Sequence, residues 1–247
     1  MFPLPYTSPL SSILYVLFGL EFLLLAGGLI FGQFNQEQTG RLPLPIRILL
    51  SAIVLLGSIL GWCVGTKGTA VETYAMWIFL GMAAGFVGDL IMARLIPVPN
   101  RLILGMIAFG MGHVCYSSGF VHLIRKSAIG TGPAGVALAA TLAFSVWAWY
   151  AFVRNPQANT AINVGSLLYG LLFGVTAALS CTLATHDRHY ASLAAVALSF
   201  MVSDLLLGNW VIRGHVWKSV NDVIWVCYAS GQLLIVYSVA AALNVWR

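Results

Sequence analysis

The chain has 247 residues, 60% of them hydrophobic and only 8% charged, with a mean hydropathy of +0.92. An ordinary soluble domain carries about 25% charged residues, so composition excludes that class and points to an integral, multi-pass membrane protein. The net charge of +5 comes from Lys and Arg spread singly or in pairs through loops and helix ends, which is a membrane-flanking pattern and gives no footprint for nucleic acid.

A membrane-crossing helix needs about 20 predominantly apolar residues, and eight such runs follow one another. They are predicted at Leu10–Phe31, Arg47–Gly65, Tyr74–Leu95, Arg101–Ile124, Ala134–Val153, Ile162–Ala184, Tyr190–Ile212 and Asp222–Trp246. The first has no basic residue before it and no small-residue cleavage signature after it, so it reads as a retained helix rather than a signal peptide. The second carries Gly57, Gly61 and Gly65 at four-residue spacing, a face on which membrane helices pack closely. The third repeats that device with Gly81, Gly85 and Asp89, placing a carboxylate on the small-residue face. The fourth has His113 and Tyr116 one turn apart. In the seventh, Ser203 precedes Asp204. On the eighth, Asn221, Trp225, Tyr228 and Gln232 fall along one side of a helix.

The connectors, such as "IPVPNR" and "HDRH", are too short to hold a soluble domain, so residues 1–247 read as a single transmembrane domain. The runs are continuous rather than alternating and about twice the length of a barrel strand, which argues against a β-barrel. The fold class is therefore an all-α polytopic bundle. The odd-numbered loops and their edges hold Arg41, Arg47, Arg94, Arg101, Arg154, Arg213 and Lys218, and the other side holds Lys67, Arg125, Lys126, Arg188 and Arg247. Seven cations against five lean toward both termini facing away from the cytoplasm.

The two intramembrane aspartates belong to a longer echo. "GFVGDLIMARL" around Asp89 is followed by "HVCYSSGF", and "FMVSDLLLGNW" around Asp204 is followed by "WVCYASGQ". The aspartates are 115 residues apart and the tyrosines 112, so the third and fourth runs match the seventh and eighth. Four crossings separate the halves, and equivalent helices then run in the same direction, as in a parallel repeat with halves 1–128 and 129–247. Chance matching in so apolar a composition is the alternative. If the echo is a repeat, both aspartates lie at one depth, roughly six residues from the end of each run and on the order of 10 Å below the odd-loop surface.

An aspartate at membrane depth costs at least about 2.5 kcal/mol on insertion scales, so it normally faces the bundle interior and marks function. Asp89, Asp204, His113, Tyr116, Tyr228 and Gln232 are the candidates for one polar cavity, with hydrogen bonding between helices as the simpler role for the tyrosines and the amide. Two carboxyls in a dry pocket suit acid/base work, one giving a proton while the other steadies a cation, as in acetal cleavage through an oxocarbenium-like state. A proton-coupled transporter is the rival use of such a pair, and a non-catalytic lipid-binding scaffold is a third.

Other chemistries fit less well. Lys67, Lys126 and Lys218 are in loops or at edges, which excludes a retinal Schiff base. The runs carry no His-x-x-x-His pair, and the chain has no Gly-x-Ser-x-Gly elbow, phosphate loop or dinucleotide fingerprint. A metal bound by His113 and both aspartates would need ligands from three helices. Cys63, Cys115, Cys181 and Cys227 lie inside the runs without a Cys-x-x-Cys pair, behaving as small hydrophobes. No metal or soluble cofactor is expected.

The strings "GFVGDLIMARL", "GMGHVCYSSGF", "SFMVSDLLLGNW" and "CYASGQLLIV" resemble the YhhN-like lysoplasmalogenase family, over nearly the whole chain. The matching positions are Gly88 and Asp89, His113 and Tyr116, Ser203 and Asp204, and Tyr228 and Gln232. One departure is that the family commonly shows Lys-Pro near the start of the second span, where this chain has "LPLPIRILL" with Arg47 as the nearest cation. The resemblance implies a lysophospholipid substrate, whose vinyl ether bond is hydrolysed to a fatty aldehyde and a glycerophospho-base. Asp89 and Asp204 would then be catalytic, with His113, Tyr116, Ser203, Tyr228 and Gln232 shaping the cavity. Arg47, Arg94, Arg101 or Arg213 would hold the phosphate, and the apolar tail would lie between helices among membrane lipids.

Overall fold

The computed structural model describes residues 4–246; Arg247, counted above among the cations, lies outside the described residues. Eight helices make up the bundle: α1 (Ser8–Phe31), α2 (Leu44–Leu60), α3 (Glu72–Met92), α4 (Arg101–Lys126), α5 (Thr131–Ala148), α6 (Thr160–His186), α7 (Ala191–Val211) and α8 (Val220–Val245). There are no strands among the described residues. α2 and α5 each continue into one π-helical turn, Gly61–Gly65 and Trp149–Val153. With those turns, all eight are long and apolar enough to cross a membrane.

Local chemistry sets the helix ends. α2 begins three residues ahead of the expected Arg47, because Pro45 occupies its first turn, where a missing N–H leaves no helical bond unmade. Asn100 caps α4 by accepting from the Ile103 N–H at 3.1 Å, and Asn159 caps α6 by accepting from Ala161 at 2.8 Å. α3 stops at Met92, short of the expected Leu95, and the chain turns through Arg94 at φ 62°, in the left-handed region. Asp89 is therefore three residues from its helix end and Asp204 seven, rather than six in both.

α3 lies along α4, α7 along α8 and α5 along α6, while α2 packs on α8 and α6 on α4. Small residues permit the closest of these contacts. Gly81 sits against the Tyr116 ring and Gly88 against Phe109, and Gly112 approaches the Gly81 carbonyl, so α3 and α4 meet nearly backbone to backbone. Toward the even-loop end the interior is filled by fully buried Tyr74, Ile78, Phe120, Leu123 and Ile235. A hydrogen bond joins the Tyr74 and Ser238 hydroxyls there, tying α3 to α8.

At the odd-loop end Asp222, in the first turn of α8, fastens the first loop to the bundle. Its carboxylate accepts from the Arg41 backbone N–H at 2.6 Å, the Arg41 Nε at 3.0 Å and the Leu42 N–H at 3.4 Å. Its position also complements the positive end of the α8 dipole. Asp222→Ala leaves these donors unmet and is expected to destabilise the protein by about 1–3 kcal/mol. A clear drop in the midpoint of thermal unfolding in detergent checks this, and an unchanged midpoint would remove the loop anchor from the account.

Candidate functional site

α3 and α7 carry Asp89 and Asp204 to one chamber of about 710 Å³. That is within the roughly 300–1,000 Å³ of small-molecule sites. Its walls include the apolar side chains of Phe144, Phe173, Met201, Leu207 and Trp210, and it extends to the odd-loop end, where Asn35, Glu37, Arg94 and Arg101 border it. Asp89 is buried, while Asp204 is partly exposed within the chamber.

The Asp89 carboxylate is met from two other helices. Its Oδ2 accepts from the Ser51 hydroxyl of α2 at 2.6 Å and from the Tyr228 hydroxyl of α8 at 3.0 Å. Gln232, one turn beyond Tyr228, lies beside the same group, and Arg47, one turn before Ser51, faces it electrostatically. The Arg47 guanidinium sits 5.8 Å from the Trp225 ring centroid, and its buried Nε has no hydrogen-bond partner among the described residues. This is a cation held in place with a donor still to give.

Asp204 is met differently. Its Oδ2 accepts from the Tyr169 hydroxyl of α6 at 2.8 Å, and the Tyr169 oxygen lies 3.4 Å from Nε2 of His113 on α4. Because Tyr169 donates to the carboxylate, its oxygen is left to accept from His113 Nε2, which makes Nδ1 the acceptor nitrogen of that ring. The imidazole is fixed edge-on among Tyr116, Tyr169, Phe173 and Phe200, with centroid separations of 5.5–6.1 Å.

Of the residues expected at the site, Asp89, Asp204, Arg47, Ser203 and Tyr228 border the large chamber. His113, Tyr116 and Gln232 do not. They surround a second chamber of about 20 Å³, which Asp204 and Tyr228 also border. Among the arginines, Arg94 and Arg101 border the large chamber, whereas Arg213 turns away and donates to the Ala151 carbonyl. Among the described residues, no group of three His, Cys, Asp or Glu side chains is placed to hold a metal ion.

Three residues escaped the sequence reading. Tyr169 belongs to a stripe on α6, Asn163, Ser166 and Tyr169, whose three-residue spacing was legible. Ser51 had no signal beyond lying one turn from Arg47. Glu21 is an acid in the middle of α1, buried, with neither carboxyl oxygen hydrogen-bonded among the described residues, and it borders neither chamber.

The model of the YhhN family matches residues 39–239, a stretch that runs from the loop before α2 into α8 and contains both carboxylates and all their donors. No curated protein and no solved structure matches the chain.

The glycine contacts that bring α3 to the site set a stability prediction. A Cβ at Gly81 would overlap the Tyr116 ring, whereas one at Gly57 meets only Val236 at 3.8 Å and Leu14 at 3.9 Å, ordinary contact. Gly81→Ala is expected to destabilise by about 1–3 kcal/mol through overpacking, and Gly57→Ala to be neutral or better. Thermal unfolding of the pair in one detergent tests this, and equal midpoints would contradict it.

Proposed function

From the premise that the chain belongs to the YhhN family, we propose that it hydrolyses the vinyl ether bond of a lysoplasmalogen, releasing a fatty aldehyde and a glycerophospho-base. The observation that carries this reading is the placement of two intramembrane carboxylates on one lipid-sized, largely apolar chamber bordered by arginines.

The surroundings divide the work between the two acids. Asp89 receives two hydroxyl donors and faces Arg47, so in this scheme it takes the part of the stabilising carboxylate. Asp204 receives the Tyr169 hydroxyl and is the acid partly exposed to the chamber. In this scheme the Asp204 carboxyl protonates the vinyl carbon remote from the ether oxygen, turning the C=C–O unit into an oxocarbenium. The Asp89 carboxylate steadies that cation, as paired carboxylates do in glycoside cleavage. Water then adds to the oxocarbenium carbon and gives up a proton to Asp204, restoring the acid. The resulting hemiacetal breaks its C–O bond to the glycerol, which leaves as the alcohol while the remaining carbon becomes the aldehyde. Arg47, with its unmet Nε, is placed to hold an anionic headgroup by charge-assisted hydrogen bonds, with Arg94 and Arg101 nearer the opening.

The chamber opens toward one end of the bundle, and a transporter would have to expose the same site to the other end in turn. Every loop that borders the chamber belongs to the odd-loop end. Toward the other end, Tyr74, Ile78, Met82 and Phe120 are packed fully buried.

The test is aldehyde release from a lysoplasmalogen by the purified protein. Asp89→Asn and Asp204→Asn are each expected to lower turnover by about 100-fold or more. Arg47→Met is expected to raise KM more than it lowers kcat, since it holds substrate and transition state alike. No aldehyde from the wild type, or full activity in both asparagine variants, would end the proposal, and solute flux in proteoliposomes without aldehyde would support transport instead.

A further inference from the structure

Hydrolysis needs a water molecule at the reacting carbon, yet the lipid that reacts would occupy the large chamber and displace its water. The small chamber shares Asp204, Tyr169, Phe109 and Tyr228 with the large one as lining residues. Its volume of about 20 Å³ exceeds the roughly 10–15 Å³ that one water requires. Two deeply buried polar atoms of side chains bordering it, His113 Nδ1 and Gln232 Oε1, have no hydrogen-bond partner among the described residues. His113 is 5% exposed and Gln232 2%. Leaving two such acceptors unmet would be costly, and a buried water typically satisfies two to four otherwise unpaired groups.

We propose that the small chamber is the binding site of the hydrolytic water, held by Gln232 Oε1 and His113 Nδ1 and delivered past Asp204 to the oxocarbenium carbon. This rests on the vinyl ether reading above and specifies where that reaction's second substrate resides. The water's two hydrogens point to the two acceptors at rest. After Asp204 has protonated the vinyl carbon, its carboxylate becomes the third and strongest acceptor on the chamber wall. The water turns one O–H toward it, bonds through oxygen to the oxocarbenium carbon and loses that proton to Asp204, so the acid is regenerated by the molecule that completes the reaction. Tyr169 positions this step, because it fixes the Asp204 carboxylate on one side and the His113 tautomer on the other.

Gly85 makes the proposal testable. A Cβ there would meet only the Tyr228 hydroxyl at 3.7 Å and Gln232 Nε2 at 3.9 Å, both ordinary contacts, so Gly85→Ala fills the small chamber with a methyl group without displacing backbone. With lysoplasmalogen as substrate, Gly85→Ala is expected to lower aldehyde release by about 100-fold, the effect of misplacing a reactant, while binding of the saturated 1-alkyl ether analogue stays at the wild-type level. Wild-type turnover in Gly85→Ala, or loss of analogue binding along with turnover, overturns the water site. Absence of aldehyde from the wild type instead refutes the function on which the site rests. A second variant reads the same site through product identity. Gln232→Ala widens the chamber, and with methanol present it is expected to yield the mixed methyl acetal by addition of methanol to the oxocarbenium. The wild type is expected to yield aldehyde alone. Mixed acetal from the wild type, or only aldehyde from an active Gln232→Ala, also overturns the proposal.

Discussion

A carboxylate inside an apolar helical bundle meets little solvent, so protein donors take over much of its hydrogen bonding. Much of this bundle follows from that constraint. Asp89 on α3 is met by Ser51 from α2 and Tyr228 from α8, and Asp204 on α7 by Tyr169 from α6. These bonds link five helices, α2, α3, α6, α7 and α8, around the two acids. Packing alone is permissive between apolar helices, because aliphatic faces attract one another with little preference for angle or register. The glycines of α3 complement the hydrogen bonds, since only a chain without side chains at Gly81 and Gly88 lets the Tyr116 and Phe109 rings lie flat against it.

The same constraint gives the site its sidedness. Polar groups cluster at one end of the bundle, where loops supply Asn35, Glu37, Arg94 and Arg101 to the chamber's border. The other end is sealed by aromatic and aliphatic packing around Tyr74 and Phe120. In the proposed reading a lysophospholipid would place its headgroup among the arginines and its chain against the apolar lining of the chamber. The loop anchor at Asp222 holds the first loop against α8 beside that opening, so the chamber's border is part of the folded bundle.

Much of this was legible in the sequence because intramembrane polar residues are rare enough to stand out. The eight helices followed from run length, and the burial of Asp89, His113, Tyr116 and Gln232 from their depth. Two things did not follow. Depth says that a residue faces the interior but not which of two adjoining cavities it borders, so His113, Tyr116 and Gln232 were assigned to the chamber they lie behind. Single hydroxyls are also silent, because serine and tyrosine are tolerated in membrane helices without function. Ser51 and Tyr169 acquire meaning only when the fold brings a carboxylate within 3 Å of them. The end of α3 was missed for a related reason, since apolarity continues past Met92 while the backbone turns at Arg94.

The two aspartates sit in nearly matching local sequence, yet their environments differ, and the difference arises in the helices that face them. An offset of 115 residues carries Asp89 to Asp204 and Ser51 to Ser166, but it carries Arg47 to Ile162. Ser166 does not donate to Asp204. Its hydroxyl bonds to the Asn163 carbonyl and accepts from Trp149, and Tyr169, one turn on, takes the place beside the acid. Likewise Tyr228 donates to Asp89, whereas Tyr116, its counterpart in the echo, borders the small chamber and leaves His113 to complete the Asp204 side. Two similar acids thus become a cation-flanked group with two hydroxyl donors and a chamber-facing group with an imidazole near its single donor. That inequality is what acid/base chemistry requires of a carboxyl pair, and here it comes from substitutions on α2, α4 and α6 rather than from the segments that carry the acids.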